Sequence, residues 1–312
     1  MLKDLQHPLE LSTAELQPFA SRIGFPTDVL FDILSKKEDQ YYRFPISKRN
    51  GKNRWIEAPK NELKSIQKQL LLQILYEQKA HSAAHGFVPN RSILTNAKPH
   101  VGQNWVVNFD ISNFFSSTQI HLIHKVLQTY PTLSKREQHI IFTLISKDNT
   151  LPQGAPTSPH IANLVLYDFD HFISDYAQKH QLAYTRYADD LTFSGDQIPK
   201  ELPLIVKKRL KEDGYHLAQH KTSWTGKHKR QLVTGLVVND KINLPRPMRR
   251  QMRAIIHSIK TNGSIKAFAT SSWSSDQLYG RIALQAMWDS EAAEKQLREL
   301  LGAQELDWTA YI

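Results

Sequence analysis

Residues 182–195 read Leu182-Ala183-Tyr184-Thr185-Arg186-Tyr187-Ala188-Asp189-Asp190-Leu191-Thr192-Phe193-Ser194-Gly195. Two runs rich in aromatic and β-branched residues flank Ala188-Asp189-Asp190, and the pattern predicts a tight β-hairpin tipped with acids. Adjacent carboxylates at a tip are often only solvated turn residues. The aromatic flanks instead predict a hairpin packed in a sheet, where like charges repel unless a cation sits between them. For oxygen ligands magnesium is the natural cation.

A third carboxylate comes from upstream. In Trp105-Val106-Val107-Asn108-Phe109-Asp110 the alternation puts Trp105, Val107 and Phe109 on one face of a strand and Asn108 and Asp110 on the other, so Asp110 is expected to emerge opposite the core. Leu151-Pro152-Gln153-Gly154-Ala155-Pro156 reads as a rigid loop. Ser158 and Pro159 then read as N-cap and first turn of a helix whose stripe is Ile161, Leu164, Val165, Phe169, Phe172, Ile173 and Tyr176. Residues 1–35 predict one or two short helices, and Tyr41 to Glu57 a basic hairpin about Lys48-Arg49-Asn50-Gly51-Lys52-Asn53, with its Asn-Gly turn signal. Leu63, Ile66, Leu70, Leu71, Ile74 and Leu75 recur at helical spacing, predicting a helix over 61–79 with Lys64 and Lys68 on its polar face.

The 312 residues, 40% hydrophobic, suffice for one large globular unit or two tightly joined ones. Lys and Arg outnumber Asp and Glu by 40 to 30, a formal +10 that favours a polyanionic partner: nucleic acid first, an anionic membrane surface second. No stretch approaches the roughly 20 apolar residues that span a bilayer, and no signal-peptide pattern opens the chain, so a soluble cytoplasmic protein without a membrane partner is expected. The absence of cysteine excludes disulfides, thiolate zinc sites and a cysteine nucleophile. Basic residues concentrate between 221 and 260. Lys227, His228, Lys229 and Arg230 read as a linker-like, disordered piece, while Met248, Met252, Ile255 and Ile259 predict a helix whose other face carries Arg246, Arg249, Arg250 and Arg253.

Tyr187-Ala188-Asp189-Asp190 resembles the Y-x-D-D signature of reverse transcriptases. Asp110 with Phe114 and Phe115 resembles the first palm motif, Leu151 to Pro159 the loop and helix start of the second, and Gln219-His220-Lys221-Thr222 the lysine-bearing motif after the catalytic hairpin. These matches stand in the family's order. Asn96-Ala97-Lys98-Pro99-His100 fits N-A-x-x-H and Val233-Thr234-Gly235 fits V-T-G, two elements that mark the bacterial retron enzymes. The resemblance covers about residues 41–245.

That resemblance implies an α+β right-hand polymerase: an N-terminal helical segment (1–35), fingers (36–104), a palm on an antiparallel sheet (105–240) and a short helical thumb (241–312). It implies RNA-directed DNA synthesis with two Mg2+ ions, bridged by Asp110 and Asp189, with Asp190 the weaker or outer ligand. Lys221 is implied as general acid, Phe115 as the steric gate favouring dNTPs, Gln153 as part of the nucleotide pocket, and Arg54 and Lys64 as triphosphate contacts. Arg246, Arg249, Arg250 and Arg253 would track the nucleic-acid backbone, and Asn96, His100, Val233, Thr234 and Gly235 would recognise a cognate noncoding RNA. Retron membership further implies priming from an RNA 2′-hydroxyl, a branched RNA-DNA product, an effector protein from the same operon, and defence against phage. The alternatives are a group II intron or diversity-generating enzyme, or a noncatalytic RNA-binding scaffold controlling a partner. The short chain without an appended maturase or endonuclease region disfavours the intron type, and the intact Asp110, Asp189, Asp190 and Lys221 disfavour the scaffold.

Overall fold

The computed structural model describes residues 12–36, 40–47, 51, 53–264, 268–269 and 271–301. Its strands are β1 Tyr41–Ser47, β2 Asn53–Pro59, β3 Trp105–Asp110, β4 Ala183–Tyr187, β5 Asp190–Gly195, β6 Ser223–Gly226, β7 Leu232–Val233 and β8 Leu236–Val237. Its helices are α1 Thr13–Arg22, α2 Thr27–Ser35, α3 Asn61–Gln73, α4 Ile93–Ala97, α5 Phe114–Ser117, α6 Ile120–Leu127, α7 Lys135–Ile145, α8 Ser158–Val165, α9 Tyr167–Lys179, α10 Leu202–Glu212, α11 Arg246–Asn262, α12 Ser275–Ala286 and α13 Ser290–Leu301. The class is α+β, as expected.

The central sheet has the order β4-β5-β3-β6, with each neighbouring pair antiparallel. On one side lies the larger core, in which Val107 and Phe109 of β3 and Leu191 and Phe193 of β5 meet α1–α3 and α6–α10. The other side is not open to solvent: Val106 joins a second core with Ala97, Val233, Leu236, Val238 and the apolar stripes of α11–α13. Asp110 therefore emerges opposite the larger core, but from a sheet covered on both faces along part of its length. The alternation in β3 could not reveal this, because valine suits either face.

Three helical expectations are corrected. The helix expected over 61–79 stops at Gln73 and a 3-10 turn follows at Leu75–Glu77. Tyr130 Oη donates to the Leu75 carbonyl at 2.7 Å and His160 Nε2 lies 2.8 Å from the same oxygen, so side chains take over where helix bonds would continue. Thr157, not Ser158, is the N-cap of α8, and the Ser158 hydroxyl donates to the Pro152 carbonyl at 2.7 Å, fastening the preceding loop. The single stripe expected beyond it is split at Leu166, and α9 buries Phe169, Asp170, Ile173 and Ala177 while Phe172 is exposed.

The strands of the β1–β2 hairpin form as expected; its turn residues 48–50 and 52 lie outside the described residues. Both faces of β1 are exposed, with Tyr42, Phe44 and Ile46 on one of them. Among the described residues the anchors lie at the base: Gln67 Nε2 donates to Tyr41 Oη (3.1 Å), Lys147 pairs with Glu57 (2.6 Å), and Glu57 N–H donates to the Gln153 carbonyl (2.9 Å). The Lys227–Arg230 stretch is an ordered turn and not a linker, because Asn239 Nδ2 donates to the carbonyls of Lys227 and Lys229. Among the described residues no helix is long and apolar enough to cross a membrane.

Candidate active site

Strand pairing brings the acids together. Asp110, last residue of β3, is the direct cross-strand partner of Asp190, first residue of β5. Side chains opposed in this way share a face, and like charges there repel. Asp189 sits in the two-residue tip with Ala188, whose left-handed φ of 56° makes the turn, and the Asp189 carbonyl accepts from Ile111 N–H at 2.9 Å. Lys221 arrives on a 3-10 turn whose Ala218 N–H donates to the Asp110 carbonyl at 2.8 Å. Its ammonium donates to Asp110 Oδ2 at 2.6 Å, while Asp110 Oδ1 is buried without a hydrogen-bond partner.

The electrostatics follow from this crowding. Asp189 is raised above the ordinary aspartate range by burial and by the Asp110 charge, against the opposing pull of Lys221 and Arg54. Asp190 is pushed up to about 6, first by burial and then by Asp189 and Asp110, with Lys221 opposing. Asp190 is also the more exposed of the two. Among the described residues no three His, Asp or Glu side chains already converge as a cation cage. Yet three carboxylates on one short edge, one with an orphaned buried oxygen and with a lysine ammonium as nearest counter-charge, suit hard divalent cations. The residues present fit magnesium.

The other expected site residues divide. Arg54 on β2 stands exposed and near enough to lower Asp189, and Gln153 is held at the base of the same strand. Phe115 is half-buried against Phe114, the ring centroids 5.2 Å apart. Lys64 is exposed on α3. Arg246, Arg249, Arg250 and Arg253 line the exposed side of α11, whose inner side buries Met252, Ile255 and Ile256.

Direct RNA contact by the Asn96, His100 and Val233 side chains is corrected, because all three are fully buried. His100 lies between the strands of the acidic hairpin, Nδ1 2.7 Å from Ser194 Oγ and Nε2 2.8 Å from Thr185 Oγ1. Asn96 Nδ2 donates to Thr234 Oγ1 at 3.5 Å, Thr234 Oγ1 donates to the Ile93 carbonyl at 3.2 Å, and Thr185 Oγ1 reaches the Asn96 carbonyl at 3.3 Å. The two sequence elements thus touch each other and together join the second core to the hairpin. Thr234 (φ 45°) and Gly235 (φ 83°) are the two central residues of the β7–β8 turn, a left-handed pair that favours glycine at the second position. Of the five residues only Gly235 is exposed, with Thr234 half-buried.

Sequence reasoning missed what holds the acidic tip from beneath. Arg186 and Asp170 are fully buried and paired, with Nη2 2.5 Å from Oδ2 and Nε 2.9 Å from Oδ1. Tyr184 Oη donates to Asp170 (2.8 Å), and Arg186 Nη1 donates to Asn163 Oδ1 (2.8 Å) and to the Ala188 carbonyl in the tip (3.0 Å). Asn163 Nδ2 in turn donates to the Gly86 carbonyl at 2.9 Å. A Cβ on Gly86 would lie 2.6 Å from Ala188 N, so only glycine lets this loop press on the turn. A signal existed: Asp170 falls in register with Ile173 and Ala177 on α9, and a carboxylate in an apolar stripe calls for a buried cation.

Comparison with known proteins agrees in extent with the motifs. The family described as "Reverse transcriptase (RNA-dependent DNA polymerase)" matches residues 46–238. The chain is similar to the retron Mx65 reverse transcriptase of Myxococcus xanthus (33% identity, 83% of this chain and 64% of that one). It is also similar to the retron Mx162 reverse transcriptase of Myxococcus xanthus (36%; 70% and 53%) and the retron Ec86 reverse transcriptase of Escherichia coli (33%; 77% and 76%). The chain thus spans less than two thirds of either Myxococcus relative.

Two stability tests follow. Asp170→Asn leaves the Arg186 charge buried without its partner and should cost about 3–5 kcal/mol in denaturant unfolding, whereas an Asp170→Leu, Arg186→Met double variant should lose clearly less; equal losses would refute a charge-pair role. His100 is pushed down to about 3 by burial and then by His85, so the folded protein holds it neutral while the unfolded chain takes a proton near pH 6.5. The stability this confers is complete above pH 6.5 and is lost as pH falls towards 3. Replacing His100 with Gln should therefore shrink the stability loss between pH 7.5 and 5 by about 2 kcal/mol, read from urea unfolding at each pH.

Proposed function

The chain belongs to the retron reverse transcriptases, and on that footing we propose that it copies a cognate structured noncoding RNA into multicopy single-stranded DNA. The observation that carries the catalytic part is the edge where Asp110 faces Asp190 beside Asp189, with Lys221 on Asp110. Asp110 and Asp189 would hold two magnesium ions and Asp190 would be the weaker ligand. Magnesium bound there supplies charge stabilisation for the attacking and leaving oxygens of an in-line displacement at phosphorus.

The chain's own residues do the rest. Lys221 carries a proton on Nζ beside the carboxylates and serves as general acid for the departing pyrophosphate. Arg54 grips the triphosphate from the β1–β2 hairpin with Lys64 in support, and Gln153 lies by the incoming sugar and base. Phe115 excludes the 2′-hydroxyl of a ribonucleotide and so selects dNTPs.

The proposed division is an N-terminal helical segment at 1–35, fingers at 36–104, a palm at 105–240 and a thumb at 241–312; the larger core runs through the first three, and β7–β8 pack in the second core with the helices of the last. The exposed arginines Arg246, Arg249, Arg250 and Arg253 hold the RNA and the RNA-DNA product by their phosphates. Asn96, His100 and Val233 serve recognition by fixing the Thr234-Gly235 turn, the part of these elements that reaches the surface. Priming from an RNA 2′-hydroxyl, an effector partner from the same operon, a role against phage and a cytoplasmic location complete the reading, and they rest on membership of the retron group.

Expression together with the flanking upstream DNA should yield a multicopy single-stranded DNA whose attached RNA is RNase-sensitive, and Asp110→Asn or Asp189→Asn should abolish it. Product at a near-normal level from either variant would sink the metal assignment. Phe115→Val should raise ribonucleotide incorporation by on the order of tenfold or more in primer extension, and unchanged sugar selectivity would reject the gate.

A further inference from the structure

Phe87 combines three features that packing does not explain. Its backbone is left-handed at φ 59°, and it is the one aromatic residue among the described non-glycine residues with positive φ. Such a conformation is costly for a bulky side chain and persists where the surroundings impose it. Its ring is nonetheless 54% exposed, so no burial offsets that cost. And it stands at the acidic tip, its centroid 6.2 Å from the Tyr187 ring at a tilt of 44°.

The surroundings do impose the position. Gly86, just before it, is pressed against Ala188 and held through its carbonyl by Asn163. His85 N–H donates to the Arg186 carbonyl at 2.7 Å. From the far side, Arg91 donates to the carbonyls of His81 and Ser82 at 3.0 and 2.9 Å and also to that of Ala84. An apolar ring is thus displayed to solvent on a rigid mount beside Tyr187, with the neighbouring Gly86 against Ala188. The mount itself hangs on the same buried Arg186 that carries the catalytic turn.

We infer that Phe87 is a stacking platform for an unpaired nucleobase of the template as it enters the active site; the inference rests on the polymerase reading and adds a subsite to it. The chemistry fits a base better than any other occupant. A chain with a formal charge of +10 favours a polyanionic ligand as a whole, and a nucleobase offers a flat apolar face while its rim stays hydrogen-bonded. A base inside a duplex has both faces occupied, so the occupant is an unpaired one. Stacking on one aromatic ring tolerates all four bases, which suits a copied strand.

The test uses the full chain with an RNA template and DNA primer. 2-Aminopurine is placed either at the first unpaired template position or at the primer 3′ end, and its quenching is compared for wild type, Phe87→Leu and Phe87→Trp. The leucine variant should lose the quenching at the template position and raise KM for primer-template about tenfold with kcat nearly unchanged, and the tryptophan variant should restore both. Wild-type quenching and KM in Phe87→Leu, with normal extension, would overturn the platform and leave the polymerase reading standing. Loss of quenching only at the primer end would overturn the template assignment. No extension by wild type would overturn the polymerase reading, and the platform with it. Equal melting temperatures for the three proteins separate stacking from folding; should Phe87→Leu melt lower, a tryptophan variant with wild-type melting but no quenching would still overturn the inference.

Discussion

The buried pair of Arg186 and Asp170 is the constraint on which the rest of the molecule turns. A guanidinium taken wholly out of water is tolerable only if its donors find fixed acceptors, and here they reach Asp170, Asn163 and the Ala188 carbonyl. Each acceptor belongs to a different element: α9, α8 and the acidic tip. Satisfying one cation therefore positions two helices and a turn relative to each other. An apolar core could bind the same elements with comparable strength, but it would tolerate sliding, which carboxylates sharing a cation as proposed would not.

A second constraint acts from the opposite side of the hairpin. Successive residues of β4 alternate, so Tyr184 and Arg186 turn towards Asp170 while Thr185 turns towards His100. The strand is gripped on both faces by polar side chains, and nearby Asn96 meets Thr234 of the β7–β8 turn. The Asn96–His100 and Val233–Gly235 elements are thus internal ties between the acidic hairpin and the second core. On the proposed reading, RNA would meet this turn without any of the supporting side chains leaving the interior.

Much of this was legible in the sequence, and the parts that were not share a physical reason. Alternation in 105–110 and the aromatic flanks of Asp189-Asp190 give strands and faces, because a period of two admits one solution once one face is buried, whereas the meeting of the acids was legible only through the family resemblance. The arginine side of α11 is equally plain from its period of 3.6. What periodicity does not carry is the identity of a partner across space. Val106 could not announce that a second core covers it, nor Leu75 that Tyr130 and His160 would take its carbonyl and end α3. The RNA role of His100 came from the family resemblance alone, and only the hydroxyls of Thr185 and Ser194, distant in sequence, show it to be a core residue.

The β1–β2 hairpin, anchored at its base and with both faces of β1 exposed, has an implication for affinity. Two strands without a core of their own are marginally stable in water. If Arg54 grips a nucleotide as proposed, the complex would also have to supply the missing interior for Tyr42, Phe44 and Ile46. Measured nucleotide affinity would then be a net quantity, contact energy less the entropy of ordering this flap, and a stiffer hairpin could bind more tightly without gaining a single hydrogen bond.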